Sequence, residues 1–130
     1  MKILIIGSKV RIIHLKHFSD ELVKLGMKCK VILDMDFLEK SLSFNLKKRI
    51  STNKKLKVLL NTFEPNIVLL DNVSRLATTI LDEKIPLFLL FRGNYWKELE
   101  WAKKTIYKSP LKLFSVLKNQ KLADRIFKES

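Results

Sequence analysis

The sequence predicts a three-layer α/β sandwich with a mostly parallel sheet of about five strands, and three observations carry that expectation. Short apolar runs, led by Lys2–Ile6, Asn66–Leu70 and Leu87–Phe91, suit strands. Between them lie longer segments whose apolar residues recur every three or four positions, and such strand–helix alternation closes as a parallel sheet with helices on both faces. The chain has 130 residues, 47% of them hydrophobic, enough for one domain with a core and too many for a disordered chain.

Taken in order, Lys2–Ile6 is the first strand and Gly7-Ser8 ends it. Lys9 to Ile13 form a loop and the approach to a helix. From His14 to Leu25 the residues Leu15, Phe18, Leu22 and Leu25 mark one helical face, and Gly26 stops the helix as its C′ residue. Cys29–Leu33 is a second strand, followed by the polar Asp34 and Asp36. Leu38, Leu42, Leu46 and Ile50 are spaced by four and suit an amphipathic helix. A stronger helix begins near Asn53, carries Leu56, Leu59, Leu60 and Phe63 on one side, and ends before Pro65. The third strand, Asn66–Leu70, runs into Asp71-Asn72. A helix through Leu76, Ala77, Ile80 and Leu81 follows, with Ser74 or Asn72 as its cap.

The stretch Ile85–Glu100 is the focus of the chain. Leu87 to Phe91 form an unbroken apolar run, which fits a strand covered on both faces. Arg92, Gly93 and Asn94 follow at once, so the strand opens into a polar loop at the end where parallel sheets hold ligands. Tyr95 to Lys104 has a helical pattern, and Pro110 starts a further helix through Leu113, Phe114 and Leu117. Leu122-Ala123-Asp124 then leads into a short fifth strand, Arg125-Ile126-Phe127. With right-handed crossovers, Gly7–Arg11, Asp34, Asp71-Asn72 and Arg92-Gly93-Asn94 line one edge together.

Charge narrows the partners. The chain carries 26 Lys plus Arg against 13 Asp plus Glu, a net charge of +13, which implies attraction to nucleic acid, a membrane surface or a phosphorylated ligand. Lys40, Lys47, Lys48, Arg49, Lys54, Lys55 and Lys57 occupy one stretch without an acidic residue; a second basic stretch runs from Lys103 to Lys121. Either is explained by a solvated helical face. The first also has Leu38, Phe44 and Leu46 beside it, the apolar stripe with a basic border that interfacial helices use, or else ordinary packing against the sheet. No apolar run approaches the roughly 18 residues that a membrane span needs. Met1 leads straight into a strand with no room for a signal peptide, so a soluble cytoplasmic domain is expected. Cys29 is the only cysteine and reads as structural.

Several chemistries are set aside. The first turn, G-S-K-V-R-I, lacks the G-x-G-x-x-G of dinucleotide sites, and no Walker A motif exists. Nor is there the acidic pair after the first strand that a receiver domain needs. His14 and His17 lack a third ligand, so no metal is expected. No aromatic-basic interleaving or recognition motif supports nucleic-acid binding. No catalytic constellation is visible, and the catalytic residues stay unassigned.

K-I-L-I-I-G, the helix end L-V-K-L-G and the strand K-C-K-V-I-L together resemble the opening of glycosyltransferases of the B fold, with their helix-to-strand pattern L-x-x-x-G-H-x-V-x-V. F-E-P-N-I-V-L-L-D is similar to that family's x-x-P-D-V-V-x-x strand, and K-I-P-L-F-L-L-F-R-G-N-Y-W-K-E to its G-I-P-x-V-x-x-x-H-D strand and loop. L-A-D-R-I-F-K-E-S is similar to A-D-x-I-x-x-x-S, the last strand before the linker to the second domain.

The resemblance spans the chain and implies that residues 1–130 form one Rossmann-like domain, the N-terminal, acceptor-binding half of a two-domain enzyme. That enzyme would move a sugar from a nucleotide-sugar donor to an acceptor, which the basic stretches suggest is lipid-linked. It further implies that the donor is held by a C-terminal domain or a separate partner chain, that the isolated domain is inactive, and that no other cofactor is needed.

The substrate-binding residues so implied are Gly7, Ser8, Lys9, Arg11, Asp71, Asn72, Arg92, Gly93 and Asn94. Arg92 stands where relatives carry a loop histidine, and it either pairs with phosphate or bridges to Glu98 or Glu100. Asn94 caps the next helix in preference to binding sugar, and Trp96 packs in preference to forming a sugar platform. Lys47, Lys48, Arg49, Lys54 and Lys55 are the residues expected to hold anionic lipid at the inner face of the membrane. The alternative is a basic, non-catalytic binding or scaffold domain.

Overall fold

The computed structural model describes residues 1–37, 46–91, 94–105 and 110–129, and within these the side chains at 46–52, 95, 105, 110–116 and 119 fall outside the description. The order of elements is β1 (Lys2–Gly7), α1 (Ile12–Lys24), β2 (Lys28–Leu33), a 3₁₀ turn (Asp34–Asp36), α2 (Leu46–Phe63), β3 (Ile67–Asp71), α3 (Leu76–Asp82), β4 (Leu87–Leu90), α4 (Tyr95–Thr105) and α5 (Pro110–Glu129). The spacing-by-four pattern through Leu38 and Leu42 lies outside the described residues, whereas Leu46 and Ile50 belong to the same continuous helix as Leu56 and Leu60.

The strands form an all-parallel sheet in the order β2-β1-β3-β4, a Rossmann-like α/β arrangement. Ile3 pairs with Cys29 on one side and Ile67 on the other, and Leu69 pairs with Phe88. From β1 the chain steps outward to β2, then returns past β1 to β3 and β4. Right-handed crossovers require the helix to change faces when the direction reverses. Accordingly α1 roofs one face, where Leu15 packs with Ile3 and Ile5. The other face joins Leu4, Ile6, Val68 and Leu70 to Leu56 and Leu60 of α2, Leu76, Ala77 and Ile80 of α3, and Ile126 of α5.

Local chemistry explains where several elements stop. Gly26 follows α1 at φ +83°, the left-handed position that suits glycine. Lys84 takes the same role after α3 at φ 57°, where its N–H donates to Leu81 O and the Ile85 N–H donates to Ile80 O, the paired closure of a Schellman motif. The Lys97 N–H donates to Asn94 Oδ1 at 3.0 Å, so Asn94 fills its expected helix-start role; the N-cap of α3 is Arg75 in place of the expected Ser74 or Asn72, and Ser74, one residue earlier, accepts from the Leu76 N–H through Oγ at 3.3 Å.

Two expectations are corrected. Among the described residues the sheet has four strands, because Leu122–Phe127 belongs to α5. Ala123 and Ile126, three apart, are fully buried, while Arg125 pairs with Glu129 four residues on, so this segment has a helical period. Second, β4 is not covered on both faces. Leu87 is buried toward α3, but Phe88 is 56% and Leu90 is 37% exposed, because α1 roofs β1 and its neighbours and does not extend over this edge strand.

Candidate functional site

Parallel strands deliver their carboxyl ends, and the turns that follow them, to one edge of the sheet. β1 and β3 are neighbours there, at the point where the strand order reverses. Their ends, with that of β4, enclose a pocket of about 210 Å³ lined by Ser8, Arg11, Asp71, Asn72, Leu90, Phe91 and Glu98. It is smaller than the roughly 300–1,000 Å³ typical of sites that enclose a drug-sized ligand.

The β1–α1 connection is tight, the Arg11 N–H donating to Ser8 O at 3.0 Å. That turn brings Arg11 to the start of α1, where Nη1 lies 3.3 Å from Oδ1 of the buried Asp71. A buried carboxylate needs such a partner, so the pair both seals β1 to β3 and presents a guanidinium edge to the pocket. Asn72 follows at φ 88°, a left-handed conformation that asparagine tolerates, and its Oδ1 accepts from the Val73 N–H at 2.8 Å. Ser8 supplies a hydroxyl from the end of β1. Leu90 and Phe91 give an apolar wall, and Glu98, one turn into α4, supplies a second carboxylate.

A third acidic residue, Asp34 at the end of β2, feels the charge of Asp71. Burial pushes the Asp34 carboxyl up from its ordinary value; a Met35 backbone hydrogen bond opposes this, and the charges of Asp71 and Asp36 add to it. Asp34 Oδ1 is buried with no hydrogen-bond partner among the described residues. No group of His, Cys, Asp or Glu among the described residues is arranged to hold a metal ion.

Of the residues expected to bind substrate, Ser8, Arg11, Asp71 and Asn72 come together in the pocket. Gly7 sits behind it, where a Cβ would collide with Leu15 Cδ1, so this glycine lets α1 close on β1. Lys9 is exposed on the turn, and Asn94 is engaged at the start of α4. Arg92 and Gly93 lie outside the described residues. Lys54 and Lys55 are exposed on α2, whereas the side chains of Lys47, Lys48 and Arg49 lie outside the description. Lys57, from the same basic stretch, bonds Glu83 at 2.8 Å and ties α2 to the end of α3.

Leu90, Phe91 and Glu98 were not expected as lining. A usable signal for Glu98 exists: once Asn94 caps the helix, the residue four further on returns to the same side, toward the strand end. Trp96 is packed, its ring 4.5 Å from that of Phe127 and 6.3 Å from that of Phe91, with Nε1 donating to Asp124 Oδ1 at 3.0 Å. Phe91 therefore belongs at once to the pocket wall and to the aromatic cluster that fastens α4 and α5 to the end of β4. No family model matches this sequence, and no curated protein matches it.

Proposed function

We propose that this chain is the acceptor-binding half of a glycosyltransferase, which moves a sugar from a nucleotide-sugar donor to an acceptor hydroxyl. The observation that carries the reading is the lining of the pocket at the strand-order reversal: two carboxylates, a hydroxyl, an amide and one guanidinium face an apolar wall. Sugar rings offer hydroxyls in several directions and C–H faces between them. Asp71 and Glu98 accept from hydroxyls, Arg11 and Asn72 donate to oxygens, and Leu90 with Phe91 covers the apolar face of the ring.

The same lining disfavours a diphosphate. Among the described residues its only cation, Arg11, already faces Asp71, and Glu98 adds negative charge. The nucleotide part of a donor then falls to a further domain or a partner chain, and this pocket takes the sugar acceptor. Glu98, exposed to solvent at the pocket, stands where it can orient an acceptor hydroxyl.

The test is saturation-transfer NMR on this chain with a panel of methyl glycosides, set against nucleoside diphosphates. Glycosides are expected to receive saturation and to lose it in Asp71→Asn and Glu98→Gln. Saturation of the nucleotides alone would overturn the reading, as would glycoside signals that both variants leave unchanged.

A further inference from the structure

We propose that the shoulder formed by the β1–α1 turn and the first turn of α1 docks on an anionic lipid bilayer, with the pocket mouth beside it. The proposal concerns the surface alone and does not depend on the glycosyl-transfer reading. Val10, in the turn, is 89% exposed, and Ile13, in the first turn of the helix, is 64% exposed. The apex of a tight turn ordinarily carries Gly, Asn, Asp or Ser, each for a backbone reason. Here it carries a β-branched apolar residue with a second one three positions on. Neither is needed by the core, since α1 meets the sheet through Leu15 and Ser19.

The border of this apolar tip is basic. On the turn and α1, Lys9 and Lys16 are exposed, as are His14 and His17, and no Asp or Glu occurs before Asp20; the exposed acids of this edge, Asp36 after β2 and Glu98 on α4, belong to other elements. In a parallel α/β sheet the helices run back against the strands, so α2 also starts at this edge. Apolar side chains that enter the acyl boundary beneath a ring of cations are the physical basis of interfacial binding. The basic excess of the whole chain, +13, favours the same partner. Arg11 lies between Val10 and Ile12 and lines the pocket, so a head group at the shoulder is a few residues from the site.

Lys54 and Lys55 on α2 form a weaker candidate surface. Val58 is the only described large apolar side chain exposed there, and Asn61 and Thr62 continue its face.

The experiment is co-sedimentation of the chain with phosphatidylcholine vesicles, with and without phosphatidylglycerol. Binding is expected only to the vesicles containing phosphatidylglycerol, and it should weaken as salt is raised. Lys9→Gln and Lys16→Gln should each weaken it about fivefold, and the double variant Val10→Asp/Ile13→Asp by more than about tenfold. Both apolar side chains are exposed, so circular dichroism should show that these variants fold. Lys28→Gln, at the opposite end of the sheet, serves as the control and should leave binding within about twofold.

The proposal fails if the wild type stays in the supernatant, if the Val10/Ile13 variant binds as well as wild type, or if Lys28→Gln weakens binding as much as Lys9→Gln. Salt-sensitive binding to an oligonucleotide that needs Lys9 and Lys16 but is indifferent to Val10 and Ile13, with no vesicle binding, would replace the bilayer with nucleic acid.

Discussion

The two faces of the sheet are made of the same kinds of residue and have different fates. On the face beneath α2, α3 and α5, Leu4, Ile6, Val68 and Leu70 are almost wholly buried. On the face beneath α1, Ile3 and Ile5 are equally enclosed, but Phe88, paired with Leu69, stands mostly in solvent. The difference comes from the connections. Three helices share one face and a single helix roofs the other, so an apolar strand at the edge is buried on one side only.

The largest expected effect tests that contrast directly. Leu70→Ala removes a fully buried side chain from the heavily covered face and should cost about 2–5 kcal/mol in urea unfolding. Phe88→Ala removes a larger side chain from the open face and should cost less than about 1 kcal/mol. Equal losses would mean that the open face is covered in solution.

Next is the seam between β1 and β3 at the pocket. Arg11→Ala leaves the buried Asp71 carboxylate without its cation, and a destabilisation of about 1–3 kcal/mol is expected. Arg11→Ala/Asp71→Asn should recover part of it. Purely additive losses would show that the two side chains do not interact.

Gly7→Ala probes the α1 face by placing a methyl against Leu15. We expect a loss of about 1–3 kcal/mol, with Gly7→Ala/Leu15→Ala losing less than the sum of the single variants. Strict additivity would rule out the close approach of strand and helix.

The smallest effect concerns Asp34. Its folded carboxyl binds a proton more tightly than the unfolded one, because burial disfavours the charge. Stability from this group is therefore present at low pH and is lost as pH rises from the ordinary carboxylate value through the raised one. Asp34→Asn should stabilise the fold at neutral pH by less than about 1 kcal/mol, read as a slightly higher thermal midpoint, and the two curves should converge in acid. A variant that is less stable at pH 7 would reveal a favourable partner for this carboxylate.

Much of the fold was legible because its signals are local. Alternation of apolar runs marked β1, β2 and β3, and Gly26, Ser74 and Asn94 each act within a few residues of where they stand in the chain. The misreading of Arg125-Ile126-Phe127 has a physical reason. Three residues with two apolar side chains satisfy a strand or a helix equally, and it is burial of Ile126 against α3 and the sheet, with Ala123 buried three residues before it, that selects the helix. The pocket was half legible: Ser8, Arg11, Asp71 and Asn72 follow strand ends, whereas Leu90, Phe91 and Glu98 become lining only once β4 is placed beside β3.

By itself the sequence determined the fold class, the parallel sheet, the basic surface and the edge at which polar residues gather, since periodicity, composition and turn chemistry are properties of neighbours along the chain. The tertiary structure alone decided which strand stands at the edge, which face stays open, and that the guanidinium of Arg11 meets the carboxylate of Asp71 sixty residues away. Those outcomes depend on the order in which strands pair and on the face each helix crosses. Both are set by long-range packing free energy, which no short window of residues contains.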